Sequence, residues 1–383
     1  MYFFDGEQEN ELPSETLRHY VRTTHDRYAA KEWKTKSAGA AFLGAAPEPD
    51  AEDAIRSIRS TVHTLLYDRG DLLYSMTIDD SSGIYRKDRQ DLSKEGILLS
   101  GRDGRLEEFA LSPDRSRLVY TESYAGQKHL GLMQMASGEG DLITEGMTCD
   151  CHPSFEPSGR ILFSSCGLAA AEKEEQDTPF AQPAPTAPLR GPAAICSFDP
   201  ETKQILTLLG DDSHDYLHPA RTADGALLCI RRPYKPDRAR LSGGCLIDML
   251  LFLPRLVWSF IRFLSTFSQA YSGKSLTGST DVRSKTRSEE EMLIDGNRIK
   301  VEEERRRNAR SGEKVPGIIP RTWELVRVLG DQTEVLAKGV CAFLPTEEGI
   351  YLSNGSALLL LKDGKADLIT RGSGITAISA IGS

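Results

Sequence analysis

Three histidines carry the first chemical suggestion in this sequence. His63, His152 and His218 fall at the same place in three stretches that otherwise resemble one another, and Glu108 and Cys341 occupy that place in two more. Three imidazoles, a carboxylate and a thiol form a donor set suited to Zn²⁺ or Mn²⁺, at ligand distances of about 2.0–2.3 Å. The competing reading is a set of polar side chains lining a wet channel, because equivalent positions around a wide ring are spread apart. On that reading the chain needs no cofactor. Cys149, Cys151 and His152 offer a second cluster. Cys149 and Cys151 alternate onto one face of a strand, which favours packing over chemistry. Arg231 and Arg232 suit a carboxylate or a phosphate, or simply end a solvated strand.

Complete catalytic signatures are missing from the sequence. Gly273-Lys274-Ser275 invites a phosphate-loop reading, but Ser268 stands where the first glycine is required. There is no Gly-x-Ser-x-Gly elbow and no His-Glu-x-x-His. No catalytic residue is therefore assigned, and the chain reads as more binding protein than enzyme.

The elements that must position the histidines are short strands in repeated units. Each unit opens with a strand, a tight turn and a second strand. The five copies run over His63–Tyr74, Glu108–Tyr120, Cys151–Ser165, His218–Leu228 and Cys341–Leu352. A second hairpin follows in each, clearest at Leu358–Leu361, Lys362-Asp363-Gly364-Lys365 and Ala366–Thr370, because Asp-Gly between apolar runs is a strong hairpin signal. Four short strands per unit with Gly, Pro and Asp turns is the pattern of propeller blades. The repeated position then lies on the innermost strand, facing a central channel.

Ser112-Pro113-Asp114 with Leu118-Val119-Tyr120, and Glu156-Pro157-Ser158-Gly159-Arg160 with Ile161-Leu162-Phe163, resemble the repeat of TolB-like, or WD40-like, propellers. The resemblance covers 60–383 apart from insertions and implies a fold, not an activity. Arg115 departs from it by standing where glycine is usual. Oligogalacturonate lyases, a related propeller family, hold a metal in the channel with histidines, which makes a metal-dependent, lyase-like enzyme the alternative function.

The N-terminal region reads as a helix over Ser14–Lys31, a strand-like Lys34–Leu43 and an acidic Ala/Pro linker, Ala45–Asp53. The last residues, Ile375–Ile381, read as a lone inner strand. Joining it to the N-terminal strands predicts an all-β, six-bladed propeller closed by both termini, which protects exposed strand edges. A five-bladed ring is the alternative. The expected organisation is 1–59 as helix and strands completing the last blade, then 60–232 as blades 1 to 4 with a mobile loop at 166–192. A helical insertion in the fourth blade follows at 233–320, and 321–383 returns to the propeller.

The insertion holds the least ordinary segment, 246–267. Asp248, Arg255, Ser259, Arg262, Thr266 and Gln269 fall on one narrow helical stripe, and Leu250, Leu253, Leu256, Val257, Trp258, Phe260, Ile261, Phe263 and Leu264 cover the rest. The length approaches the ~20 residues of a spanning helix, but each central charge costs ~3 kcal/mol in a bilayer. Both ends must also return to one blade. In-plane burial at a membrane interface, or contact with a protein partner, meets these constraints. Lys274, Arg283, Lys285 and Arg287 suit anionic headgroups. Downstream, Glu302–Arg307 reads as a solvated helix stitched by ion pairs.

The bulk numbers set the frame for these readings. A net charge of −9 over 383 residues argues against nucleic acid as a partner. Seven cysteines without regular spacing suggest a reducing compartment. Met1–Glu7 lacks the basic and then apolar pattern of a signal peptide, so the expected location is the cytoplasm, with a peripheral place on the inner face of the membrane.

Overall fold

The computed structural model describes residues 2–4, 9–11, 14–35, 51–88, 91, 94–101, 104–169, 189–235 and 291–379. The chain divides into two compact units, 1–144 with 379–383, and 145–378.

In the N-terminal unit, β1 (Tyr2–Phe4) pairs with β2 (Glu9–Glu11). Helices α1 (Glu15–Thr35) and α2 (Ala51–Ser57) follow. The first four-stranded antiparallel sheet is β3 (Ser60–Asp68), β4 (Asp71–Ile78), β5 (Ser81–Asp88) and β6 (Glu95–Ser100), in chain order. The second is β7 (Arg105–Leu111), β8 (Arg117–Tyr124), β9 (Gln127–Gln134) and β10 (Gly140–Leu142). Leu73 and Ile84 of the first sheet pack with Leu106, Phe109, Leu118 and Met133 of the second. Burying each such side chain contributes roughly 1.5–3 kcal/mol. Leu17 and Tyr20 of α1 cover Leu72, Tyr74 and Met76.

Helix α1 begins where the sequence expects. Ser14 caps it, its Oγ accepting from Leu17 N at 3.2 Å. The sequence does not announce the second capping group, Glu95 of β6. Its carboxylate accepts from Glu15 N (3.0 Å), Thr16 N (3.1 Å), Ser14 Oγ (3.2 Å), Thr16 Oγ1 (2.5 Å) and Lys87 Nζ (3.1 Å). The Lys87 and Glu95 side chains are 0% and 2% exposed. Burial alone would raise the Glu95 pKa, but these hydrogen bonds outweigh it and lower it to about 2. A carboxylate at a helix N-terminus also meets the positive end of the macrodipole.

In the C-terminal unit the third sheet is β11 (Thr148–Phe155), β12 (Ile161–Ala169), β14 (Ala194–Asp199) and β15 (Gln204–Leu209), with β13 (Leu189–Arg190) on the edge of β12. The fourth begins with β16 (His214–Arg221) and β17 (Leu227–Pro233). The chain leaves this sheet and returns through a separate hairpin, β18 (Glu291–Ile294) and β19 (Asn297–Lys300), then helix α3 (Val301–Arg310). Strands β20 (Glu324–Leu329) and β21 (Gln332–Lys338) complete it. The fifth sheet is β22 (Ala342–Pro345), β23 (Ile350–Ser353), β24 (Gly355–Lys362) and β25 (Lys365–Ile375). Both insertions thus lie between the second and third strands of their sheets. Ion pairs Arg305–Glu302 (3.0 Å), Arg307–Glu303 (2.9 Å) and Arg307–Glu304 (2.8 Å) stitch α3 as its spacing predicts.

The repeated turns close alike. Ser112 N donates to Arg117 O, Glu156 N to Arg160 O and Thr222 N to Ala226 O, at 2.8–2.9 Å. Gly159 and Gly225 hold φ of 86° and 82° there, and Arg115 takes φ 63° in glycine's place. Asp68 pairs with the Arg115 guanidinium at 3.2 Å.

Two expectations about the termini meet a different arrangement. In sheet order β1 pairs with β2 alone, and Thr376–Ser379 belong to no strand, so no described strand joins the chain ends. Lys34 and Thr35 extend α1 instead of opening a strand, and 36–43 lie outside the described residues. Of the expected loop 166–192, residues 166–169 belong to β12 and Leu189–Arg190 to β13, while 170–188 and the whole apolar stretch 246–267 lie outside the described residues. Among the described residues no helix is long and apolar enough to cross a membrane.

Candidate functional site

Two of the three histidines meet. His152 and His218 occupy bulges in β11 and β16, where pairing slips between Cys151 and Ser154 and between Leu217 and Ala220. The same slip recurs at the equivalent place in β3 (between Val62 and Thr64) and β7 (between Leu106 and Phe109), so the bulge belongs to the repeat. At His152 and His218 the next residue is a proline, Pro153 or Pro219, which has no N–H for the ladder. Both histidines take left-handed backbone angles, φ 54° and 53°. A bulge turns a side chain away from ordinary strand alternation. Here two bulges turn two imidazoles onto each other, with ring centroids 3.7 Å apart and a tilt of 39°. Ser154 Oγ donates to Pro219 O at 2.6 Å and ties the bulges together.

The third member comes from the long insertion. Asp295 and Gly296 form the tight turn of the β18–β19 hairpin, with φ 45° and 77°. Asp295 Oδ1 lies 3.3 Å from His152 Nε2, and Oδ2 lies 3.1 Å from His218 Nε2. An ionised carboxylate only accepts, which places a proton on Nε2 of each ring. His152 Nδ1 then faces Cys151 Sγ at 3.2 Å. Burial opposes the Asp295 charge, but the neighbouring His218 and His152 overcome it and hold the carboxyl well below its usual range.

The hairpin is gripped beyond its carboxylate. Arg232 Nη2 donates to Asp295 O at 2.9 Å, while its Nε donates to Asp215 Oδ2 at 2.9 Å. Asp215 Oδ1 in turn accepts from Ala193 N at 2.9 Å. Arg232 also lies over the Trp323 ring, 4.7 Å from its centroid. With its amide oxygen turned toward Arg232, Asn297 accepts from both terminal nitrogens at 2.7 and 2.9 Å. Ile294 and Ile299, 4% and 3% exposed, join the core formed by Cys149, Leu217, Ile230, Leu325 and Leu352. The described ends of the two insertions meet as well, since Tyr234 OH donates to Arg190 O at 2.5 Å.

The remaining candidates are placed differently. His63 and Glu108 belong to the N-terminal unit. His63 Nε2 lies 3.0 Å from Thr77 Oγ1, and burial lowers its pKa against the pull of Glu107 and Glu108. Glu108 is half-buried on β7. The Cys341 thiol donates to Ser353 O (3.5 Å) and Ile375 O (3.4 Å), and burial pushes its pKa up to about 12. Arg231 donates to Glu324 Oε2 at 2.6 Å, so both arginines are held by carboxylates of the fold. Cys149 sits opposite Cys166, whose thiol is held well above its ordinary pKa by a hydrogen bond to Cys149 and by burial. Among the described residues, His152, His218 and Asp295 are brought together, with ligand atoms within 4.8 Å of one another.

The sequence matches no protein-family model and no curated protein. Among solved structures the chain is similar to TolB from Acinetobacter baumannii, at 12% identity and a TM-score of 0.43, over 82% of this chain and 56% of that one. It is similar to the putative TolB from Agrobacterium tumefaciens at 21% identity and a TM-score of 0.29, over 39% and 48%. A third likeness is to a chain of a nidogen/laminin complex, at 9% identity and a TM-score of 0.44, over 83% and 84%. The chain spans about half the length of the TolB chains it matches. These are likenesses of fold. At these identities and TM-scores, function has to be argued from the site itself.

Proposed function

We propose that the chain is a non-catalytic propeller-type binding module, built on five blades, that presents its long insertion to a membrane surface. The observation that supports this reading is the grip on the returning hairpin. Asp295, Asn297, Ile294 and Ile299 fix the hairpin to the blades on which His152, His218 and Arg232 lie. Pro233 of β17 fixes the departing end of the same insertion. Between these anchors the sequence carries the apolar 246–267, with Trp258, Phe260 and Phe263 beside Arg255 and Arg262. In-plane burial of such a segment draws on apolar area and on attraction of its cations to anionic lipid. The blade count rests on the five antiparallel meanders β3–β6, β7–β10, β11–β15, β16–β21 and β22–β25, and on β1 pairing with β2.

The test is co-sedimentation with anionic vesicles, comparing the intact protein with a deletion of 241–290. The intact protein should pellet with the vesicles and the deletion should stay in the supernatant. Equal behaviour of the two removes the membrane from the proposal.

A further inference from the structure

Among the described residues, the His, Cys, Asp and Glu side chains converge as a possible ligand set at one place: His152, His218 and Asp295, with ligand atoms within 4.8 Å of one another. We propose that this triad binds one first-row divalent transition-metal ion, for which zinc is the reference ligand. The proposal is independent of any membrane role.

Geometry carries the first part of the argument. Bonds of about 2.0–2.2 Å from one metal to imidazole nitrogen and carboxylate oxygen place neighbouring ligand atoms roughly 3.0–3.5 Å apart at right to tetrahedral angles. The carboxylate-to-imidazole separations here are 3.1 and 3.3 Å. On coordination each ring would offer its Nε2 lone pair as neutral imidazole, with its one remaining proton on Nδ1 and any further proton leaving to solvent. The ion would sit beside the two N···O lines rather than on them.

The chain also accepts awkward conformations at this point. His152 and His218 sit in separate sheets, yet each adopts a left-handed backbone angle inside a bulge, and the two are aimed at one point. For residues other than glycine such angles are uncommon, and they concentrate where function fixes a side chain. The third ligand is supplied by a tight turn whose backbone carbonyl is itself held by Arg232.

The surroundings supply the rest. A metal-bound histidine ordinarily donates its other ring N–H to a polar neighbour, which sets the tautomer. Cys151 Sγ stands at that position beside His152 Nδ1, 3.2 Å away. Two imidazoles and one carboxylate favour Zn²⁺, Co²⁺, Fe²⁺ or Mn²⁺ over the harder Ca²⁺ and Mg²⁺. With three protein ligands, a fourth position stays open for an exogenous ligand. His152 is 5% exposed at its side chain and His218 is 27% exposed, so that position opens on the His218 side.

The experiment is a cobalt titration of untagged, chelator-stripped protein, followed by zinc competition. Wild type should take up one equivalent of Co²⁺ with visible d–d absorption, and Zn²⁺ should displace it. Asp295→Asn and His218→Gln should each weaken binding at least a hundredfold, and His63→Gln should leave it within twofold. Thermal transitions of the metal-free variants are measured alongside. A readout that needs no variant is hydrogen exchange of wild type, where zinc should slow the Met292–Arg298 turn at least tenfold. Absence of stoichiometric uptake at micromolar metal overturns the proposal, as does wild-type affinity in both site variants or an unchanged turn on zinc addition.

Discussion

Glu95 and Asp295 are both carboxylates drawn into the protein, and they are neutralised in different ways. Glu95 accepts from five donors spread over both oxygens, among them a lysine that is 0% exposed and two backbone N–H groups at a helix start. Those partners come from the start of α1 and from β5. The Asp295 carboxylate has two hydrogen-bond partners among the described residues, and both are imidazoles whose nitrogens can exchange a proton for a metal ion. Counting and classifying the donors separates a structural carboxylate from a candidate ligand, although burial and a lowered pKa are common to both.

The largest expected effect tests the saturated side. Lys87→Met leaves the Glu95 charge buried without its cation, and losing one partner of such a pair costs roughly 3–5 kcal/mol. The four remaining donors put the expectation near about 3 kcal/mol, read as the lowered opening energy of β4 and β5 amides in hydrogen exchange. A cost below about 1 kcal/mol would show that the helix start alone holds the carboxylate.

Acid should act on the same knot. The Glu95 pKa of about 2 lies below its ordinary 4.5, so its contribution is complete above pH 4.5 and is lost as pH falls toward 2. The loss is at most about 3 kcal/mol. In Glu95→Gln the acid limb of a stability-versus-pH curve for β3–β6 should flatten over that window. An unchanged limb would assign the acid sensitivity to other carboxylates.

Asp295→Asn in metal-free protein should cost about 2 kcal/mol, the range for a hydrogen bond to a charged group. Trp323, stacked on Arg232, is the fluorescence reporter in denaturant. A cost equal to that of Lys87→Met would make the two carboxylates alike and remove the contrast. The smallest effect belongs to Ser14→Ala, about 1 kcal/mol for a lost N-cap. The Glu95 contacts to Glu15 N and Thr16 N remain in that variant, so the cost should fall at or below this figure in thermal unfolding.

Much of this fold is legible in local patterns. Ser112-Pro113-Asp114, Pro157-Ser158-Gly159 and Asp363-Gly364 mark turns because so few residue types satisfy the backbone there. Ser14 marks a helix start for a similar reason. The alignment of His152 with His218 was legible too, since the repeat puts both at one strand position. Asp295 was not legible as their partner. It lies 143 residues from His152 and 77 from His218, and no local period connects such distances. A signal for its hairpin does exist, in Asp295-Gly296 between Met292-Leu293-Ile294 and Ile299, but the pattern predicts a turn without its destination. Glu95 is hidden for the same reason, 79 to 81 residues from the helix start it caps.

The Asp295-Gly296 turn has a twin at Asp363-Gly364, exposed to solvent, with φ of 50° and 73° against 45° and 77°. Aspartyl-glycyl bonds age when the glycine nitrogen attacks the side-chain carboxyl and closes a succinimide, which reopens mostly as isoaspartate. That attack needs a carboxyl that can rotate and shed an oxygen. At 363 the aspartate is exposed, and open space lies beside Gly364. At 295 two imidazoles hold both oxygens. One molecule therefore carries a matched pair of chemical clocks, and on long storage isoaspartate should accumulate at 363 while 295 keeps its original linkage.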